Sequence, residues 1–159
     1  MIDVGRRGFL RGRPRPKAEI RPPWARPEAE FIDRCTRCND CLKGCPQDIL
    51  VAGDGGFPKV DFSRAECTFC GDCVSACLPQ ALLRREGQAA WSHKPVISTT
   101  CLPKQGVECR VCGDFCDVRA IRFTPRPGGN PLPEILNDAC TGCGACLAPC
   151  PVQAIAILL

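Results

Sequence analysis

The sequence predicts an irregular α+β fold of two similar halves, short β-hairpins and short helices gathered around cysteine loops, with an extended N-terminal arm. Three observations predict it. Of 159 residues 16 are Cys, and they fall in four groups of four. Gly and Pro contribute 15 and 16 residues, which excludes long uninterrupted helices. The apolar share is 45% with Cys counted. It drops to about 35% without them, less than a well-filled core of this length carries. Something other than side-chain burial must hold the chain together, and the cysteines are the candidates. No membrane span is expected, because the longest apolar stretch, Ala154 to Leu159, is far too short.

The groups are Cys35, Cys38, Cys41, Cys45; Cys67, Cys70, Cys73, Cys77; Cys101, Cys109, Cys112, Cys116; and Cys140, Cys143, Cys146, Cys150. A disulfide scaffold would need a secreted chain. Arg6-Arg7 is followed by Gly8-Phe9-Leu10 and then by more Arg and Pro, with no apolar region of a cleavable signal, so a cytoplasmic protein is expected. Structural zinc is the other alternative, but it usually takes two C-x2-C pairs a dozen or more residues apart, and a third Cys at the next step is superfluous. Three of the groups read C-x2-C-x2-C-x3-C, the bacterial iron–sulfur run. A tight loop with Cys at i, i+3 and i+6 can aim three sulfurs at three corners of a [4Fe–4S] cube, and the fourth ligand must come from elsewhere in the chain. A Pro after the last Cys turns the backbone away, as at Cys45-Pro46 and Cys150-Pro151.

The runs repeat in context as well. Each is followed by a similar tail, such as Gln47-Asp48-Ile49-Leu50 and Gln153-Ala154-Ile155-Ala156, so the unit is a cysteine loop, a short helical turn and an apolar strand. Strands are expected over 49–52 and 58–62 about a turn at 53–56, and again over 121–124 and 132–136 about a turn at 127–130. Two halves follow, 31–90 and 96–159, after an arm over 1–30, with Gly87 to Lys94 as the joint. Each half resembles a bacterial two-cluster ferredoxin. That resemblance implies exchanged fourth ligands. One cluster would take Cys35, Cys38, Cys41 and Cys77, and its neighbour Cys67, Cys70, Cys73 and Cys45. In the second half one would take Cys140, Cys143, Cys146 and Cys116, and the last Cys101, Cys109, Cys112 and Cys150. Seven residues separate Cys101 from Cys109, so that loop is irregular. Four clusters are expected, or three if the Cys101/Cys109/Cys112 site is empty.

Charge divides the chain. Residues 1–27 carry Arg6, Arg7, Arg11, Arg13, Arg15, Lys17, Arg21 and Arg26 against Asp3 and Glu19. The rest is slightly acidic, and four oxidised cubes would bring it to about −10. The arm is rich in Pro and Arg and has no period, so it is expected to be extended. It could lie against the acidic body, or serve as a handle in which Arg21-Pro22-Pro23-Trp24 docks a partner through its aromatic anchor. Nucleic-acid binding is not expected, since the arm lacks interleaved aromatics and the body would be repelled.

Gly5-Arg6-Arg7-Gly8-Phe9-Leu10-Arg11-Gly12-Arg13, Arg21-Pro22-Pro23-Trp24, the C-T-R-C at Cys35 and the C-x-G-C-G-A-C from Cys140 to Cys146 resemble the NapF family of ferredoxin-type proteins. The resemblance covers nearly the whole chain, including the wide gap of the third run. It implies a cytoplasmic accessory protein that contacts the catalytic subunit of periplasmic nitrate reductase before export and helps it acquire or reduce its iron–sulfur cluster. A redox partner protein is implied too. The alternative is a general polyferredoxin or an electron-transfer subunit of a larger oxidoreductase. No residue set suggests bond-making catalysis. His93 sits alone in the joint, where a solvent-facing or backbone-bonded imidazole is expected. No Gly-rich loop has the spacing for a flavin or nicotinamide. Gly71, Gly113, Gly142 and Gly144, inside the runs, are expected to allow tight backbone turns and N–H bonds to sulfur.

Overall fold

Short apolar stretches separated by Gly- and Pro-rich turns pair as small antiparallel ladders, three of them among the described residues. The computed structural model describes residues 19–158. The first half runs α1 (Glu28–Arg34), α2 (Asp40–Lys43), β1 (Leu50–Ala52), a 3-10 turn at Asp54–Gly56, β2 (Pro58–Val60) and α3 (Asp72–Ser75). The second runs β3 (Pro95–Ile97), a 3-10 turn at Leu102–Gln105, α4 (Val111–Asp114), β4 (Ile121–Arg126), β5 (Gly129–Ile135) and β6 (Ile155–Ile157).

Both expected hairpins are present. Leu50 pairs with Val60 and Ala52 with Pro58 in the first; Ile121 pairs with Ile135 and Arg126 with Gly129 in the second. The second hairpin is longer than its sequence suggests. Its turn is the two residues Pro127-Gly128, with Gly128 at φ +68, so pairing continues up to Arg126 and Gly129. The helical turns lie elsewhere than expected. They fall inside the runs, as α2, α3 and α4, and not in the tails after them. One helical turn carries the chain from the third cysteine to the fourth, and the tail then turns through a single left-handed residue, Asp48, Gln80, Arg119 or Gln153.

Each half closes by pairing its first stretch with its last. In the second half β3 lies antiparallel to β6, Pro95 opposite Ile157 and Ile97 opposite Ile155. In the first half the same part is played by residues 24–26. The Arg26 N–H donates to the Ala81 carbonyl at 3.0 Å, the Leu83 N–H donates to the Trp24 carbonyl at 2.9 Å, and Ala25 bridges Leu82. The strand expected after the second run is thus reduced to one bridge.

This geometry corrects the docking role expected for Arg21-Pro22-Pro23-Trp24. Trp24 is 4% exposed, its indole N–H donates to the Gln88 carbonyl at 3.2 Å, and Arg84 covers its ring. Pro22 is among the largest fully buried side chains. The anchor is committed to this chain's own first half. The Arg6-Arg7 part of the arm lies outside the described residues.

The first half has a core of its own around Phe31, Ile49, Leu50, Val60, Phe62 and Leu82. The second has little: its buried cluster is Ile121, Cys146 and Ile155. The joint is packed. Trp91 sits 5.7 Å from Phe62 and 5.9 Å from Phe69, centroid to centroid, and Leu147 and Ile157 of the second half lie against the first half's core.

Candidate metal centres

A run can aim several sulfurs at one point only if its backbone curls more tightly than an ordinary loop. The curl comes from left-handed residues at matching positions. In the first run they are Arg37 and Asn39, in the second Phe69 and Gly71, in the fourth Gly142 and Gly144, each pair flanking the second cysteine. The third run has none there, and Gly113 is helical within α4. It is needed for closeness and not for a turn: a Cβ on Gly113 would lie 2.6 Å from the Phe123 ring.

The curled runs enclose four cavities among the described residues, and each is lined by four cysteines from two runs. Cys35, Cys38, Cys41 and Cys77 line one. Cys67, Cys70, Cys73 and Cys45 line a second, roofed by Trp24 and Phe69. Cys101, Cys109, Cys112 and Cys150 line a third, and Cys140, Cys143, Cys146 and Cys116 a fourth. All sixteen cysteines are used once. The irregular run joins the pattern: Cys101, 8% exposed, caps the 3-10 turn at Leu102–Gln105 and lines the third cavity with the rest.

Four thiols from two runs around one cavity are the donor set that a [4Fe–4S] cube takes. Burial pushes the thiols of Cys41, Cys73 and Cys146 up to about 12 and those of Cys67 and Cys112 up to about 11, and neighbouring sulfurs add to the shift. Such thiols keep their protons at neutral pH until a cationic group displaces them. Backbone N–H groups are already aimed at the sulfurs that a cube would leave negative. Leu82 donates to Cys77 at 3.4 Å, Ala120 to Cys116 and Ala154 to Cys150 at 3.2 Å, and Phe69 to Cys67 at 3.4 Å. Bonds of this kind are expected from the glycines inside the runs, but these four come from Phe69, Leu82, Ala120 and Ala154, since any residue type can supply a backbone N–H.

His93 is half-buried in the joint. Its Nε2 is buried without a hydrogen-bond partner and the ring lies 5.1 Å from Trp91. Burial holds its pKa below the usual imidazole value, against a backbone hydrogen bond at Gly142, which is one of the two settings expected for it. Cys38 and Cys70, in the middle of the first two runs, are exposed, so the first two cavities are open at those corners.

A family described as a 4Fe-4S dicluster domain matches residues 34–81 and 107–154, one match in each half. Ferredoxin-type protein NapF of Haemophilus influenzae is 54% identical over 136 residues, covering 86% of this chain and 77% of that one. NapF of Escherichia coli K12 is 45% identical over 155 residues, covering 97% and 94%. This chain belongs to the NapF family of ferredoxin-type proteins. More distant is the methylamine utilization ferredoxin-type protein MauM of Methylobacillus flagellatus, 33% identical over 94% of this chain and 71% of its own. The NapF-type chain is therefore an iron–sulfur protein with an electron-transfer or accessory role. Its second dicluster match begins after Cys101, so the irregular ligand lies outside the repeated unit. No helix among the described residues is long and apolar enough to cross a membrane.

Proposed function

We propose that this NapF-type chain holds four [4Fe–4S] clusters and serves the catalytic subunit of periplasmic nitrate reductase before export, supplying it with electrons or with a cluster. The observation that carries the reading is the exchange of cysteines between runs, three from one and the last of another around every cavity. The ligand sets would be Cys35, Cys38, Cys41, Cys77; Cys67, Cys70, Cys73, Cys45; Cys101, Cys109, Cys112, Cys150; and Cys140, Cys143, Cys146, Cys116. A bound cluster supplies reversible uptake of one electron at a time.

The chain's own residues do the rest. The thiolates fix each centre, and the N–H groups of Phe69, Leu82, Ala120 and Ala154 offset negative charge on the sulfurs. Trp24 and Phe69 keep water from the second cavity, and Leu102 and Pro103 cover the third. The exposed Cys38 and Cys70 corners are where a partner comes near enough for electron exchange. Among the described residues the cysteine-lined cavities are the groups suited to chemistry, and they suit an electron-transfer or assembly protein. Its place is the cytoplasm, where an unexported subunit is met.

The deciding experiment is an anaerobic pull-down of the unexported catalytic subunit with the cluster-loaded chain. Retention that weakens as salt is raised is expected, because the arm is basic. No retention at any salt concentration overturns the reading. The likeness to a methylamine utilization protein favours a second one, a general polyferredoxin. Removing residues 1–18, which spares the Trp24 contacts, discriminates: partner retention falls under the first reading, while electron uptake by the clusters persists under either.

A further inference from the structure

Two of the four cages belong to different halves and meet through their loops. The Cys67 N–H, at the start of the second run, donates to the Cys143 carbonyl in the fourth at 2.9 Å. Beside it Gly144, at φ +87, leaves a gap that Phe62 fills: a Cβ there would lie 2.1 Å from the Phe62 ring. Phe62 follows β2 in the first half and is 4% exposed. Gly142 is covered in the same way by His93, whose carbonyl would stand 3.0 Å from a Cβ. Lys94 adds a bond from its ammonium group to the Cys140 carbonyl. Neither half needs these contacts to close its own ladder, since residues 24–26 and β3 already do that. The Cys67–Cys143 bond joins the loops of the second and fourth cavities, and the other contacts hold the fourth loop against the first half and the joint, so together they fix where those two cages stand relative to each other.

We infer that Phe62, seated in the gap left by Gly144 and braced by the Cys67–Cys143 hydrogen bond, is a positioning residue that holds the second and fourth cages together, making the chain one connected series of four cages instead of two independent pairs. The inference rests on the cluster reading above and goes beyond it. One electron accepted by one half from a one-electron donor protein can leave from the other half to a one-electron acceptor, with no bond made or broken.

The test uses the full chain, purified anaerobically, with iron and acid-labile sulfide measured first. Colourless protein without either overturns the cluster reading itself, and the inference falls with it. On fully reduced, iron-replete protein, electron paramagnetic resonance reads the magnetic interaction among centres, which bears on the inference alone. Three variants are compared: Gly144→Ala puts a methyl group into the Phe62 ring, Gly144→Ala with Phe62→Ala removes the ring it meets, and Phe62→Trp enlarges the ring without touching a cysteine loop. The wild type is expected to show more interaction than two isolated pairs can account for. Gly144→Ala and Phe62→Trp are expected to lower that excess at least twofold, and the double variant to recover part of it. Iron-replete variants with unchanged spectra overturn the inference, as does a double variant no nearer to wild type than Gly144→Ala. If neither single variant holds iron, the wild-type spectrum decides, and one reproduced by two isolated pairs overturns it.

Discussion

Seven residues separate Cys101 from Cys109, and they form an arm with its own supports. Lys104 Nζ donates to the Ile97 carbonyl and Gln105 Nε2 to the Thr99 carbonyl, both at 2.8 Å, while Pro103 is buried beneath. The thiol is therefore held as firmly as one in a regular loop. Cys101→Ser is expected to lower iron content by about one iron to one whole cluster per chain, with the other three retained, because each cavity has its own ligand set. Iron and sulfide analysis checks it. Trp24 carries a second prediction at this scale. Trp24→Ala removes a buried ring and its hydrogen bond to Gln88 and opens the roof of the second cavity. It is expected to destabilise the first half by about 3–5 kcal/mol, read as faster iron loss to a chelator. The sixteen ligand candidates were legible in the sequence because a cube demands thiols at fixed intervals. The role of Trp24 was not, because Arg- and Pro-rich neighbours look the same whether they face solvent or line a core.

Among the elements, α4 and β4 meet where Gly113 faces Phe123. Gly113→Ala places a methyl group against that ring, and overpacking of this kind costs about 1–3 kcal/mol. The expected result is lower resistance to denaturant, with recovery in the pair Gly113→Ala, Phe123→Leu. The two hairpins were legible, since apolar alternation about a Gly-rich turn has few other uses. The strand β3 was not: Pro95-Val96-Ile97 is three residues in a joint, and its partner Ile155–Ile157 lies far along the chain. The left-handed residues were legible only where they are glycine. Asn39 tolerates positive φ, but nothing in the chemistry of Arg37 or Phe69 asks for it; the cage around them imposes it.

At the scale of the whole molecule, the second half's few buried apolar residues make the metal-binding centres its main source of cohesion. Removing iron with a chelator is expected to unfold the body, seen as lost protease resistance together with lost colour. Truncation has a sharp boundary as well. Deleting residues 1–27 takes away the Trp24–Arg26 pairing with Ala81–Leu83 and is expected to strip iron from the first two cavities, measured as at least a halving of bound iron.

The exchange of last cysteines has a consequence for synthesis. A nascent chain that has shown the ribosome exit only its first run owns no complete cage, because the first cavity waits for Cys77 while the second has Cys45 in hand from the start. Both become whole within a few residues of one another, and the second half repeats the delay until Cys150 emerges to finish the third. Under the proposed ligand sets, cofactor delivery falls into two late bursts, one per half.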